Sequence, residues 1–236
     1  MTPAPPAGGR RFGPIILLFA LALGFVALGV WQVRRLAWKE ALIARVDAGT
    51  KAPPVDAAAI PPASARALEY RAVQLRGVYD PAGLALVAGA SDLGSGYWVL
   101  APLRLADGRL VYVNRGFLPV GSKADEARRA LPTGPVSVTG LLRLSEPGGA
   151  WLRANRPAEG RWYSRDIAAI AAQGRVRAQH GFFVDAREES PRSANAPVPG
   201  LTVIRFANNH LVYALTWFAL ALLSVGAMVV LWRKGP

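Results

Sequence analysis

The chain has 236 residues, and its 28 Lys and Arg against 15 Asp and Glu give it a formal net charge of +13. It contains no cysteine, which excludes disulfides, zinc–thiolate sites, thiol redox chemistry and thiolate-ligated cofactors. The basic residues are spread along the chain without a long run. This distribution favours anionic lipid or an acidic cofactor as a partner, and we expect no nucleic acid.

Two uncharged, strongly apolar segments dominate the sequence, residues 13–33 and residues 211–232. Each exceeds the roughly 20 residues that cross a hydrocarbon core as a helix. Ala20 and Ala22 have the spacing of a signal-peptidase site, but the hydrophobic run continues well beyond them, which disfavours a cleaved signal. The sequence therefore predicts two transmembrane helices, with terminal tails at residues 1–12 and 233–236.

The charges beside the spans leave the orientation open. Arg10 and Arg11 before the first span, with two basic residues after the second, favour cytoplasmic termini. Arg34 and Arg35 lie on the opposite flank of the first span and weaken this argument. With two spans, both termini share one side of the membrane, and residues 34–210 form one domain on the other.

The segment after the first span predicts a helix that continues out of the membrane over residues 36–46. Residues 51–64 contain four prolines and are expected to form an extended linker. Beyond them, alternating apolar residues predict short strands at 73–75, 84–88, 97–103, 109–114, 136–142, 181–186 and 203–206. Asp107 and Gly108 supply a hairpin turn, and Asp166 caps a short helix ending near Gln173.

These patterns predict an α+β membrane protein, in which two transmembrane helices flank one mainly antiparallel β extracytoplasmic domain. The domain offers no recognisable catalytic motif: the sequence lacks G-x-S-x-G, a P-loop, H-E-x-x-H and a dinucleotide fingerprint. His180 is its only histidine apart from His210 at its boundary. We therefore expect a protein that is not an enzyme.

The start of the second span carries the most informative residues. At helical spacing, His210, Tyr213, Ala214 and Trp217 share one face. Imidazole is a common axial ligand of haem iron, and aromatic neighbours suit a flat porphyrin. Arg205, together with Arg34 and Arg35 at the end of the first span, could meet carboxylates of such a cofactor at the same depth.

A simpler interpretation of the same residues stays open. His, Tyr and Trp are ordinary residues at a membrane boundary, and Asn208 or Asn209 could simply cap the helix. Arg34 and Arg35 could contact lipid headgroups rather than a cofactor.

Several blocks of sequence, in order along nearly the whole chain, resemble one family. They are LGVWQVRRLAWKEALI at residues 28–43, which includes Trp31 and Gln32; LEYRAVQLRGVYD at 68–80; GYWVLAPLRLADGRLVYVNRGFLP at 96–119, which includes Asn114, Arg115 and Gly116; VTGLLR at 138–143; RWYSRD at 161–166; and NNHLVYALTWF at 208–218. The set is similar to the Surfeit locus protein 1 family of cytochrome c oxidase assembly factors.

The resemblance implies an inner-membrane protein with both termini in the cytoplasm and its domain in the periplasm. It also implies haem a delivery to oxidase subunit I, downstream of haem A synthase, with His210 as the proposed haem a ligand. We expect haem a to lie in a groove between the two membrane helices, with Tyr213 and Trp217 lining the ring. An alternative stays open, in which the protein is a non-haem scaffold that stabilises subunit I or recruits other assembly factors.

In the domain, Gly116 is expected to serve a turn that needs a positive φ. Arg115 is expected to pair with a buried carboxylate or to contact a partner. Asn114, Trp31 and Gln32 are expected to have structural or partner-binding roles.

Overall fold

A computed structural model describes residues 12–202 and 206–234, which form two compact units. Within the described residues, one unit comprises residues 12–45 with 206–234, and the other comprises residues 46–202. The first unit contains two long helices and the second a β domain, so the predicted fold class is confirmed.

Both long helices have the length and composition of membrane spans. Helix α1 covers Phe12–Lys51 and helix α4 covers His210–Arg233. Only 11% and 17% of their most apolar windows are buried, which is unlike the core helices of a water-soluble protein. The exposed apolar surface instead fits contact with lipid, and the chain is a membrane protein with two candidate spans.

The two helices pack along a narrow seam in which most of the buried positions are small residues. On α1, the least exposed positions recur at alternating steps of three and four: Ile15, Leu18, Ala22, Phe25, Gly29 and Gln32. On α4 the same spacing selects His210, Ala214, Trp217, Ala221 and Ser224. This is the spacing of a left-handed helix pair, and small side chains let the backbones approach closely, as they do between membrane helices.

Two contacts show that the helices run antiparallel. Gln32 lies against His210, whereas Phe25, two turns earlier on α1, lies against Trp217, two turns later on α4. The amino end of α1 and the carboxyl end of α4 therefore lie at the same end of the helix pair.

The β domain contains nine strands and two short helices in its described part. The elements are β1 Val55–Asp56, β2 Ala72–Tyr79, β3 Ala85–Ser91, β4 Gly94–Leu105, β5 Leu110–Pro119, α2 Ala124–Arg129, β6 Val136–Leu144, β7 Gly149–Ala150, β8 Arg153–Ala154, α3 Ile167–Gln173 and β9 Phe182–Ser190. The main sheet has the order β1-β2-β6-β9-β5-β4-β3, and β2 also pairs with β4. The strands β2, β6, β9, β5 and β4 thus close into a barrel, which removes the exposed edges that an open sheet would have. The pairings in the seven-stranded sheet are antiparallel except β1–β2 and β5–β9.

Alternation along the strands separates two apolar cores. Val99, Ala101 and Leu103 of β4 belong to the larger core, which includes every second residue of the barrel strands. Leu100, between them, belongs to a second core beside α3, with Ile167. As predicted, Asp166 caps α3, and its carboxylate accepts a hydrogen bond from the Ala169 amide at 3.2 Å.

Three details differ from the sequence-based expectation. Helix α1 continues to Lys51, so residues 34–45 belong with the helical unit and not with the domain. The Pro-rich segment 51–64 is not an extended linker: it forms β1 and two short 3-10 turns, and it buries Ala57 and Ile60 against the barrel core. Small apolar side chains pack there, and the Asp56 carboxylate accepts a hydrogen bond from the Ala58 amide at 2.9 Å, which starts the first turn. The strand expected at 203–206 falls mainly on residues 203–205, outside the described residues.

The close helix pair yields a test with a matched control on the same helix. A side chain at Gly29 would meet the Phe218 ring, since an added Cβ would lie 2.6 Å from its nearest carbon, whereas Gly24 has open space around it. We expect Gly29→Val to destabilise the helix pair by about 1–3 kcal/mol through overpacking. Gly24→Val should leave its stability nearly unchanged. Thermal unfolding of the full chain in mild detergent measures both, and equal losses would contradict this packing.

Candidate functional site

One hydrogen bond joins the two helices at the start of α4. The Nδ1 atom of His210 lies 2.7 Å from the Oε1 atom of Gln32, and Gln32 is only 9% exposed. The roles in this contact depend on the tautomer of the ring: with the Gln32 amide oxygen as the acceptor, Nδ1 donates the hydrogen bond. In that tautomer the lone pair is on Nε2, which is the ring nitrogen that can bind a metal.

The helical seam divides the face predicted around His210. Ala214 is buried against α1, and Trp217 stacks on Phe25 with ring centroids 5.7 Å apart. Tyr213 instead lies outside the seam and is 53% exposed. The structure therefore brings His210 together with Gln32. The Trp217 ring packs against α1, whereas the Tyr213 ring is exposed one helical turn from His210.

About one turn from the Gln32–His210 hydrogen bond, toward the middle of both spans, the two helices are in close contact and leave no gap between them. Gly29 lies directly against the Phe218 ring and Ala214 is 2% exposed, so the helix backbones approach closely there. This differs from an open groove between the spans. A flat ligand that reaches Nε2 would lie against the outer surface of the helix pair beside His210.

The residues just before α4 include an unsatisfied polar atom. Asn209 occupies the cap position of α4, but its side chain makes no capping hydrogen bond. Within the described residues, the side-chain oxygen of Asn208 is buried and has no hydrogen-bond partner. This oxygen lies two residues before His210, at the start of α4.

The basic residues at the end of the first span lie on the exposed surface of α1. Arg34 is exposed, and the guanidinium of Arg35 lies 4.1 Å from the centroid of the Trp38 ring. Trp31, beside Gln32, is 55% exposed and does not contribute to the seam. Arg205 lies outside the described residues. The exposed arginines suit an anionic group near the membrane surface, whether lipid phosphate or a cofactor carboxylate.

The second cluster singled out from the sequence is entirely internal to the β domain. Arg115 makes a bidentate ion pair with Glu189, with Nη2–Oε1 at 2.6 Å and Nε–Oε2 at 2.9 Å. The two side chains are 0% and 4% exposed. The Tyr79 hydroxyl donates to the same carboxylate at 2.6 Å, and the remaining Arg115 nitrogen donates to the Ala130 carbonyl.

The electrostatics of this cluster favour the charged form of Arg115. Burial lowers the pKa of Arg115, but the hydrogen bonds and charge of Glu189 outweigh burial and raise it. Burial and the neighbouring Glu189 both raise the pKa of Tyr79, which stays a hydrogen-bond donor. Of the two roles expected of Arg115, the structure shows the first, pairing with a buried carboxylate. The side chain is therefore not available to another protein.

The residues on either side of Arg115 in β5 belong to a β-bulge. Trp98 pairs with Phe117 and Leu100 pairs with Asn114, so β5 has one extra residue opposite Val99. Gly116 in the bulge has a φ of +130°, and an added Cβ would collide with the Val198 backbone. The Asn114 amide donates to the Asp185 carboxylate at 2.8 Å. The positive φ expected of Gly116 is present, and it serves the bulge instead of a turn.

Comparison with known proteins places the chain in a family. Residues 19–222 match the sequence model of the SURF1 family, and this range includes both Gln32 and His210. The chain belongs to the SURF1 family. Surfeit locus protein 1 from Homo sapiens is 32% identical over 93% of this chain and 75% of its own length. A SURF1-like protein from Monosiga brevicollis is 31% identical over 98% of this chain and 91% of its own length.

Sequence reasoning named Gln32 and His210 separately and missed that they bond to each other. It also missed Tyr79 and Glu189, the partners of Arg115. Period-two alternation in β2 would have placed Tyr79 on the same face as Val73 and Leu75, which is the one available signal.

The buried pair predicts an unequal response to two arginine substitutions. We expect Arg115→Ala to lower the free energy of unfolding by about 3–5 kcal/mol, because it leaves the Glu189 carboxylate buried without its partner. Arg128→Ala removes an exposed pair with Asp125, and should cost at most about 1 kcal/mol. Denaturant unfolding of the full chain measures both, and similar losses would contradict the structural role of Arg115. The double variant Arg115→Met with Glu189→Leu should recover much of the loss, since no uncompensated charge remains.

Proposed function

We propose that this protein carries haem a as cargo during the assembly of cytochrome c oxidase and helps to insert it into subunit I. The observation that supports this most directly is the Gln32–His210 hydrogen bond of 2.7 Å. It fixes the imidazole through Nδ1 and leaves Nε2 as an axial ligand for iron. A haem needs only one such protein atom, because the porphyrin supplies the four equatorial nitrogens.

Gln32 acts as the support of the ligand. An acceptor on the second ring nitrogen of a ligating histidine sets the tautomer, orients the ring and raises the basicity of the ligating nitrogen. Trp217, stacked on Phe25, keeps α4 in place against α1. Tyr213 presents an exposed aromatic ring one turn away, where it would flank a flat ligand on the lipid-facing surface.

A carrier must also release its cargo, and the donor set suits release. His210 is the one proposed protein ligand, so transfer requires exchange of a single metal–nitrogen bond. The long apolar tail of haem a would favour a site open to lipid, as the exposed side of this helix pair is. Arg34 and Arg35, and Arg205 outside the described residues, are candidates for the propionates.

The same proposal gives the protein an orientation and partners. The antiparallel helices put both termini on one side of the membrane, and we assign that side to the cytoplasm and the β domain to the periplasm. The membrane is the inner membrane, haem A synthase supplies the cargo, and subunit I receives it. The protein itself performs no catalysis in this scheme.

Absorption spectra of the full chain, purified in mild detergent from cells that co-express haem A synthase, test the proposal. We expect a reduced haem a band in the wild type and in His180→Ala, which removes the other, exposed histidine. His210→Ala should lose the band. Gln32→Ala should weaken haem a binding roughly 10–100-fold, and Gln32→Glu, which keeps an acceptor, should restore part of it.

The outcomes separate the alternatives. Haem a retained in His210→Ala at the wild-type level would refute the ligand assignment. No haem a in any preparation, together with an intact effect of the protein on oxidase assembly, would favour the scaffold alternative over the carrier. Equal binding in Gln32→Ala and the wild type would refute the supporting role of Gln32.

A further inference from the structure

The connection between β6 and α3 carries an exposed hydrophobic hairpin. Strands β7 and β8 pair through Gly149 with Ala154 and through Ala150 with Arg153. The two residues of the turn, Trp151 and Leu152, are 95% and 81% exposed. Large apolar side chains are rarely so exposed next to each other on a water-facing surface without a binding partner.

A network of part-buried hydrogen bonds holds the base of the hairpin and supports its tip. The Ser164 hydroxyl, in a residue that is 8% exposed, accepts hydrogen bonds from the Gly149 amide and the Asn155 side-chain amide, both at 3.0 Å. It donates to the Glu146 carbonyl at 2.6 Å. The Asn155 side-chain oxygen accepts from the Tyr163 amide at 2.8 Å.

The surroundings of the tip are basic. Arg153 is in the hairpin itself and lies over the Tyr163 ring, 5.6 Å from its centroid. Arg156 and Arg161 both pair with the single carboxylate of Glu159, at 3.5 Å and 3.0 Å. These three arginines outnumber Glu159 near the tip, while Asp166 and Glu146 lie at the base of the hairpin, where Asp166 accepts a hydrogen bond from the Gly148 amide.

A pocket of about 540 Å³ adjoins the hairpin and continues this basic surface. Arg128, Arg153 and Arg161 line it, together with the aromatic side chains of Tyr97 and Tyr163. Among the described residues that line it, none is Asp or Glu. Guanidinium groups bind phosphate oxygens bidentately, so the pocket suits a phosphate group.

We propose that the Trp151–Leu152 tip and the arginine-lined pocket form one docking surface for anionic phospholipid at the face of the bilayer. Tryptophan prefers the headgroup level of a membrane, where its ring is in apolar surroundings and its N–H is hydrated. The arginines beside it bind the lipid phosphates. Helix α1 tethers the domain to the membrane, so lipid is present at a high effective concentration. This surface does not depend on the haem proposal.

The absence of cysteine in the chain allows a site-specific test. In the full-length protein, Leu152→Cys places a single environment-sensitive fluorophore at the tip. Ala106→Cys places the same fluorophore in the exposed β4–β5 turn, at the opposite end of β4 from Tyr97. Both proteins are reconstituted into nanodiscs of phosphatidylcholine, with or without phosphatidylglycerol, that carry a lipid with a spin-label quencher near its headgroup.

With phosphatidylglycerol present, we expect the label at position 152 to shift to shorter wavelength and to be quenched, while the label at 106 stays solvent-like. Replacing Arg153 and Arg161 with Ala should weaken docking roughly fivefold per arginine, and thermal unfolding checks that these variants are folded. A solvent-like label at 152 in both lipids would overturn the proposal. Equal quenching in neutral and anionic lipid would overturn the selectivity for anionic lipid, because phosphatidylcholine also carries a phosphate group. A wavelength shift without quenching would assign the tip to a protein contact, such as a second copy of the chain, and would also overturn it.

Discussion

The Gln32–His210 hydrogen bond is the interaction on which the proposed activity depends. Hydrogen bonds between membrane helices contribute only about 1–2 kcal/mol. The bond is therefore a minor part of the stability of the helix pair, which comes mainly from close packing of Ala22, Gly29, Ala214 and Ala221. The bond matters for the orientation of the imidazole ring: in this account, Nδ1 carries the proton that Gln32 accepts, and Nε2 is the nitrogen left for a ligand.

Hydrogen-bond satisfaction separates the structural residues of this protein from the candidate functional ones. Arg115 directs three of its five N–H donors to Glu189 and Ala130, and its side chain is fully buried, so a partner cannot reach it. His210 uses one ring nitrogen and is only partly buried, which leaves the other for a ligand. The two residues looked comparable in the sequence, because each stands in a block that resembles the family. Their environments assign them opposite roles.

Much of the architecture could be predicted because it depends on local patterns. Uncharged length identified both spans, period-two alternation located most strands of the barrel, and Asp166 marked the start of α3. Barrel closure could not be predicted, since it requires β2 to pair with both β4 and β6. The same limit applies to the site: Gln32 and His210 are 178 residues apart, and no local spacing relates them. The helical spacing rule also grouped Tyr213 with His210 and Trp217, but packing against α1 selects 210, 214 and 217 and leaves Tyr213 outside.

The most direct test of this account is the tautomer of His210 in the protein without cargo. The chain has two histidines, so a His180→Ala protein labelled with ¹⁵N-histidine reports on His210 alone. Its nitrogen shifts and one-bond N–H couplings, recorded in mild detergent at mildly alkaline pH, identify the protonated ring nitrogen. The account predicts a proton on Nδ1 and a free lone pair on Nε2, and this preference should diminish in Gln32→Ala. A proton on Nε2 would mean that Gln32 presents its NH₂ group instead, and that the ligating nitrogen proposed here is blocked.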